Sequence, residues 1–452
     1  MINPWFVRRV SYPWLFKVFT GESGRGIMDH VARWETQSRW PAERHAEEAW
    51  KRVQRLLRHA WDHSPLHRER MQAAGAEPGD LKGWDDFARL PRMTREDLDE
   101  GLEGFLADNI SPSHRTKTRS SGSTGRPAWF WIDRGRAPLN FANYHLNMRW
   151  MGAEVGNRQA WMWPDAHGPS GRGTWQKRFA SRLLNRLLLM SPDLSDDVLR
   201  IFHERLMRFR PGLIVSFPTR VAYFLKFCER HGLQAPQVPR MISTGECLTP
   251  EQRRWFSDAF GTEIFDRYGS IELGDVAHEC GAHEGLHINT HRVWVETVDA
   301  PGLEGDQRML VITDLDNLST PFIRYEVGDL GRLWPTESTN ACPCGRTLPR
   351  LASVTGRVRD ALEAPSGNAY ARVVYVKTAQ SVPGVGTFQI IQRKPNRLVF
   401  RTVVDERFPE DGCDQLARHL NRMTRGEFEI DVEIVDEIPL SPSGKLKIVI
   451  RE

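Results

Sequence analysis

The chain has 452 residues, 40% hydrophobic and 27% charged, with 62 Lys and Arg against 58 Asp and Glu for a formal charge of +4. A single core stops growing well below this length, so two or three folding units are expected, and the composition excludes a disordered or membrane-spanning chain. So small a charge gives no reason to expect a nucleic-acid partner, and the absence of an apolar run of about 18 residues excludes a transmembrane helix.

At the start, Trp5, Phe6, Trp14, Leu15, Phe16 and Phe19 are interspersed with Arg8, Arg9 and Lys17, without the apolar stretch and small-residue cleavage site of a secretory signal. The segment reads as an arm that packs its aromatics on the domain, with a membrane-surface or partner-binding role as the alternative. Trp50, Val53, Leu57 and Trp61 recur at helical spacing and predict an amphipathic helix. The 172–210 stretch is basic with interspersed acids and reads as a solvated helical face. Thr249 and Gln252 form a capping-box pair around Pro250, which predicts a helix ending before Gly261.

Further along, Met309–Thr313 and Arg397–Val404 are β-rich, Ile430, Val432 and Ile434 alternate with acids as a strand would, and Gln415–Arg425 predicts a helix stopped by Gly426. Gly356-Arg357-Val358-Arg359-Asp360 is taken as the domain boundary, so 1–358 form a large domain, with 1–43 an N-terminal arm, and 359–452 a small α+β unit. Repeats are absent. The six cysteines do not form a disulfide framework and point to a reducing, cytoplasmic setting.

Four segments carry chemistry. Ser120-Ser121-Gly122-Ser123-Thr124-Gly125-Arg126-Pro127 can turn backbone N–H groups and hydroxyls towards an anion, although it lacks P-loop spacing and a flexible turn has the same composition. Tyr268-Gly269-Ser270-Ile271-Glu272 sets an aromatic able to stack on a purine four residues before a carboxylate able to hold Mg²⁺; a buried Tyr and a surface Glu look the same in sequence. Asp329, after Gly328, suits a ribose diol or a plain turn. Lys445 follows the turn-prone Ser441-Pro442-Ser443-Gly444, where a cation can neutralise charge at a phosphate.

Two ligand pairs, Cys280 with His287 and Cys342 with Cys344, suit a tetrahedral structural zinc, with His283 as a substitute for His287 and buried thiols as the alternative reading. Cys228, Cys247 and Cys413 read as small core residues. Trp129, Trp131, Trp161 and Trp163 are placed so that aromatic walls line a pocket, or so that strand cores are filled.

Taken together and in this order, the segments resemble the signature of the adenylate-forming (acyl/aryl-CoA synthetase) superfamily. From about Arg44 to Val449 the chain is similar to its phenylacetate–CoA ligase branch, including members labelled capsular polysaccharide biosynthesis proteins; 58–65 and 342–350 carry the resemblance to that branch. The resemblance implies an α/β fold, with a large N-terminal domain of mixed sheets and helices and a small mobile α+β C-terminal domain. It implies a phosphate loop at Ser120–Pro127, an adenine wall at Ser243-Thr244-Gly245-Glu246 with Tyr268 and Gly269, a magnesium ligand in Glu272, a ribose ligand in Asp329, a nucleotide contact in Arg357 and an adenylation lysine in Lys445. Some members of the branch hold a comparable zinc. Arg126 stands where a lysine is usual, and Arg359 stands at the hinge position usually held by aspartate.

The expected activity is acid–thiol ligation. ATP activates a carboxylic acid, an aryl acid before fatty or amino acids, as an acyl-AMP, and coenzyme A accepts the acyl group. An amide or ester ligase, a carrier-protein loader, and a non-catalytic nucleotide-binding protein are the alternatives. A homodimer is possible, as in other members of the branch.

Overall fold

The computed structural model describes residues 2–20, 24–120, 128–164, 175–191, 194–300, 303, 306–335, 341–357, 360–370, 372–439 and 446–452. The expectations for Ser121 to Pro127, Val358, Arg359 and Lys445 lie outside the described residues. The chain divides into two compact units. One comprises Met1–Glu296, Val311–Val327 and Leu333–Ser353, the other Thr297–Leu310, Gly328–Arg332 and Val354–Glu452.

The first unit begins with a helical turn over Pro4–Phe6, a π-helical turn over Val7–Ser11, and helices α1 (Tyr12–Thr20), α2 (Gly24–Gln37) and α3 (Ala42–His63). In α3 the buried residues include Val53, Leu56, Leu57 and Ala60, with Trp50 and Trp61 packed at their margin, as the spacing predicts. A two-stranded hairpin of β1 (Arg115–Arg119) and β2 (Trp129–Asp133) precedes helix α4 (Arg136–Trp150).

Then comes the α/β body: β3 (Gln159–Trp163), β4 (Arg186–Met190), α5 (Asp196–Phe209), β5 (Leu213–Ser216), α6 (Pro218–Arg230), β6 (Arg240–Thr244), α7 (Pro250–Phe260) and β7 (Glu263–Ser270). These five strands are parallel in the order β4-β3-β5-β6-β7, with strand-to-helix crossovers between them. Their core includes Met162, Ile214, Phe224, Met241, Phe256 and Ile264. Short apolar runs buried on both faces, such as Leu213–Ser216, are what a covered parallel sheet requires. The capping box is present: Gln252 N–H donates to Thr249 Oγ1 at 3.2 Å and Thr249 N–H to Gln252 Oε1 at 3.1 Å, and Gly261 closes α7 at φ +59°.

After β7 the direction reverses. Strands β8 (Gly274–Glu279) and β9 (Leu286–Ile288) continue the sheet antiparallel, followed by β10 (Val293–Val298), β11 (Arg308–Asp314), β12 (Tyr325–Leu333) and β13 (Arg350–Arg357), whose Arg350 and Leu351 pair with His287 and Leu286 of β9.

The second unit holds a short hairpin, β14 (Leu362–Glu363) and β15 (Ala369–Tyr370), helix α8 (Arg372–Gln380), and a four-stranded sheet in the order β18-β17-β16-β19. Its strands are β16 (Val385–Lys394), β17 (Arg397–Val404), β18 (Glu429–Ile434) and β19 (Val449–Arg451). Helix α9 spans Gly412–Met423, beginning earlier and ending sooner than the composition predicts. Gly412 is buried beneath the Phe408 ring, where no side chain fits, and Thr424 already satisfies a last-turn carbonyl through its hydroxyl. Leu416 and Leu420 of α9 pack with Tyr375, Ile390, Leu398 and Phe400 into this unit's own core.

Candidate functional site

Strand register places the nucleotide candidates of the first unit. Ser216, Ser243 and Asp266 pair in one row across β5, β6 and β7, and Thr244 with Arg267 in the next. Gly245–Glu246 therefore follow β6, and Tyr268–Glu272 run through the end of its parallel neighbour β7, at the carboxyl ends of both strands, just where β8 turns the sheet antiparallel. Ligands of open α/β sheets bind in such a place.

Local geometry explains the glycines. Gly245 sits at φ +77°, and a Cβ there would lie 2.0 Å from Phe217 Cε1. At Gly269, beside a bulge in the β7–β8 pairing, a Cβ would lie 2.4 Å from the Gly274 carbonyl oxygen. Glu246 bends back to cap α6, its Oε2 accepting from Thr219 N–H at 2.9 Å. Its Oε1 and the Ser243 hydroxyl are buried without a partner among the described residues. Buried polar atoms in this condition are unfavourable unless something binds them.

Two arginines that sequence reading passed over shape this region. Arg220, fully buried on α6, donates to the Ser191 carbonyl at 2.8 Å; burial lowers its pKa to about 10, while the Glu246 charge pulls the other way. Arg136 on α4 is only 2% exposed and donates to the backbone carbonyls of Glu272 at 3.0 Å and Leu273 at 3.1 Å. It also forms an ion pair with Asp314 at 2.7 Å. Next to it, Asp316 receives Arg292 and Arg52, the latter at 2.5 Å, and its N–H donates to Asp314 Oδ1 at 3.0 Å. Burial pushes Asp314 above the usual carboxylate range against the pull of Arg136; burial alone would raise Asp316 too, but Arg292, Arg52 and Arg136 hold it below. The loop bearing Glu272 is thus clamped by its backbone, leaving the half-buried carboxylate for other work.

Ser120 closes the neck of the Ser/Gly-rich loop. Its N–H donates to the Ala128 carbonyl at 2.9 Å, and its hydroxyl accepts from Ala128 N–H at 3.0 Å. On the stem below, Arg115, Lys117 and Arg119 of β1 lie over Trp129 and Trp131 of β2 in a cation–π ladder, and Trp129 is 44% exposed. Trp161 and Trp163 make other contacts. They form a row with Tyr144 and Phe217, at centroid separations of 5.6 Å (Tyr144–Trp161), 5.8 Å (Trp161–Trp163) and 4.5 Å (Trp163–Phe217). The row ends at Gly245.

In the second unit, Asp329 of β12 and Arg357 of β13 stand on neighbouring strands and form an ion pair at 3.5 Å.

The metal candidates converge within the first unit. The ligand atoms of Cys280, His287, Cys342 and Cys344 all lie within 4.8 Å of one another. Cys280 follows β8, His287 lies on β9, and Cys342 and Cys344 come from the turn before β13, where Gly345 at φ +76° donates its N–H to the Cys342 carbonyl at 2.9 Å. The Cys280 and Cys342 sulfurs are 3.6 Å apart and Cys344 Sγ is 3.3 Å from His287 Nε2. No disulfide joins them, since a bonded pair stands about 2 Å apart, and a tetrahedral zinc with bonds of about 2.3 Å needs sulfur separations of roughly 3.8 Å. The hydrogen bond from Cys280 and then the contact with His287 draw the Cys344 thiol far below its usual range. His283, the substitute considered, turns instead to Glu263 at 3.1 Å and Glu279 at 3.3 Å.

Residues 364–452 match the family model described as the CapK C-terminal domain. The chain is 25% identical over 363 residues to a phenylacetate–coenzyme A ligase of Thermus thermophilus, covering 77% of this chain and 78% of the relative. It is 19% identical over 371 residues to the Protein CapK of Staphylococcus aureus, covering 80% and 79%. Among solved structures, a 2-hydroxyisobutyryl-CoA ligase in the postadenylation state, in complex with R3-HIB-AMP, shares the fold with a TM-score of 0.76 at 19% identity, over 92% of this chain and 91% of that one.

Proposed function

Because the chain belongs to the adenylate-forming superfamily, in its phenylacetate–CoA ligase-like and CapK-like branch, we propose that it activates a carboxylic acid as an acyl-AMP and passes the acyl group to coenzyme A. One observation carries the reading. The carboxyl ends of β6 and β7 bring together Gly245–Glu246, Tyr268 and the backbone-clamped Glu272, with the Ser243 hydroxyl and Glu246 Oε1 buried and unpartnered among the described residues.

In this reading the acid's carboxylate oxygen attacks the α-phosphorus of ATP and the bond to the bridging oxygen breaks, releasing pyrophosphate. The thiolate of coenzyme A then attacks the acyl carbon and AMP leaves. Tyr268 flanks the adenine, Asp329 and Arg357 hold the ribose and phosphate side, Ser120 to Gly125 embrace the phosphates, and Lys445 neutralises charge developing between acid and α-phosphate. Glu272 would hold magnesium, which would supply further neutralisation of the phosphate charge. Segment 359–452 acts as the mobile domain that brings Lys445 to the first half-reaction and withdraws it for the second. The row of Tyr144, Trp161, Trp163 and Phe217 beside Gly245 supports an aryl acid as the substrate class.

The Cys280, His287, Cys342 and Cys344 cluster fits a structural zinc by donor type, number and spacing. Closed by four protein ligands, it has a structural rather than a catalytic role.

ATP–pyrophosphate exchange with Mg²⁺, run across aryl, fatty, dicarboxylic and amino acids and followed by coenzyme A addition, tests the proposal. Exchange is expected with an aryl acid, and thioester on adding coenzyme A. Exchange without thioester assigns another acceptor, an amine, a hydroxyl or a carrier protein. Failure of folded, ATP-binding protein to exchange with any acid overturns the enzymatic reading.

A further inference from the structure

The N-terminal aromatics do not all pack inward as the sequence led one to expect. The inner side of the helical stretch is fixed. Val7, Ser11, Tyr12 and Leu15 are buried, Ile2 N–H donates to Asn185 Oδ1 at 3.2 Å, and Asn185 donates back to the Ile2 carbonyl at 2.8 Å. Arg8 is paired with Glu154. The outward arc carries Trp5, 65% exposed, Trp14, 58% exposed, and Phe6 and Val10 between them. Phe6, Val10 and Trp14 follow one another at helical spacing, and Arg9 and Lys17 are exposed on the same arc.

We propose that this outward arc is a membrane-contact surface that seats the protein on an anionic lipid bilayer. Indole and phenyl rings beside Arg and Lys make the mixture that settles at the headgroup boundary, with the rings entering the acyl edge and the cations meeting lipid phosphates. Because the inner face is already fixed to the body, little ordering cost remains when the outer face binds. A second copy of the chain is the poorer occupant. A two-fold contact through this arc sets Arg9 and Lys17 against cations of their own kind. A helix of this length also presents a strip only roughly 25 Å by 10 Å, against about 800 Å² per partner in a stable interface. Among the described residues no helix is long and apolar enough to cross a membrane, so the contact is peripheral.

Flotation of the full chain with vesicles, in parallel with light-scattering mass measurement, tests this. Vesicles of phosphatidylcholine mixed with phosphatidylglycerol are expected to carry the protein, with partitioning about tenfold weaker to phosphatidylcholine alone and, for the anionic vesicles, falling towards that lower level at high salt. Trp5→Ser with Trp14→Ser, and separately Arg9→Glu with Lys17→Glu, are each expected to lower partitioning on the order of tenfold while the thermal melt stays in place, since these side chains face solvent. Absence of binding to the anionic vesicles, or binding by both double variants equal to that of the wild type, overturns the proposal. A dimer that the tryptophan pair converts to monomer, with vesicle binding unchanged, overturns it in favour of a second copy.

Discussion

Arg136 and Asp314, joined at 2.7 Å in the interior of the first unit, hold the loop of Glu272 from beneath, because the same guanidinium also binds the carbonyls of Glu272 and Leu273. Removing one partner of a buried pair leaves the other uncompensated, at a cost of about 3–5 kcal/mol. Arg136→Met is therefore expected to lower the urea midpoint strongly, and Arg136→Met with Asp314→Asn to recover part of the loss. If the clamp also positions the carboxylate proposed to hold magnesium, the double variant should remain deficient in pyrophosphate exchange at its partly recovered stability, with the defect eased by raised Mg²⁺. A double variant that regains full exchange would show that Arg136 serves stability alone.

The Cys–His cluster ties strands β8 and β9 and the turn before β13 to helices α2 and α4, since Cys280 and Cys342 share a core with Ile27, Val31 and Trp34 of α2 and Trp150 of α4. One zinc per chain is expected by elemental analysis. Cys342→Ser should reduce it well below stoichiometric and lower the melting temperature, and a strong chelator should do the same to the wild type. Full stability in a metal-free chain would return the cluster to the status of buried thiols.

Gly245 offers a cleaner steric test. Gly245→Ala places a methyl group 2.0 Å from Phe217 Cε1 in a left-handed backbone, so the Phe217 ring must leave Trp163 or the loop must shift. Gly232, at φ +61° with nothing within 4 Å of a built Cβ, meets only the backbone cost. Gly232→Ala should cost about 1 kcal/mol, and Gly245→Ala about 1–3 kcal/mol beyond it, read from urea denaturation. The acid KM should rise in the second variant alone. Equal losses would mean that Phe217 yields freely and the ring position is not specified.

Local chemistry was legible and long-range burial was not. The Thr249–Gln252 capping box, the Arg397–Val404 strand and the Val53–Leu57 face depend on neighbours in sequence, and each appears where the pattern predicts. The four metal candidates were legible as soft donors, but only the pairing of β9 with β13 brings Cys342 and Cys344 to His287. Arg136 was passed over because an arginine among polar residues reads as surface; its burial depends on Asp314, which arrives from β11. Trp5 and Trp14 fail in the opposite sense, being large apolar residues left outside.

The role proposed for Lys445 lies in the half of the reaction in which charge gathers between the acid and the α-phosphate. Lys445→Ala is expected to suppress pyrophosphate exchange by about 100-fold or more, while thioester formation from supplied acyl-AMP and coenzyme A stays within a few-fold of wild type. Equal loss of both steps would remove the lysine from that role.

Asp266, beneath the strand ends, gives the fold a pH signature. Burial first, and the Glu279 carboxylate second, push its pKa up to about 7. The unfolded chain releases this proton in the ordinary carboxylate range, so from there up to about pH 7 the folded state holds a proton that the unfolded state has lost. Stability must then fall as pH rises through that window and level off above it, by an amount on the order of 4 kcal/mol. Asp266→Asn imitates the protonated form and keeps an oxygen for the Arg267 N–H, which now donates to Asp266 Oδ1 at 2.9 Å. The variant should therefore match wild type near pH 4 and exceed it at pH 8, in urea denaturation repeated across the range. Parallel stability curves for the two proteins would show that Asp266 is ionised throughout, its charge balanced by Arg253 and Arg267.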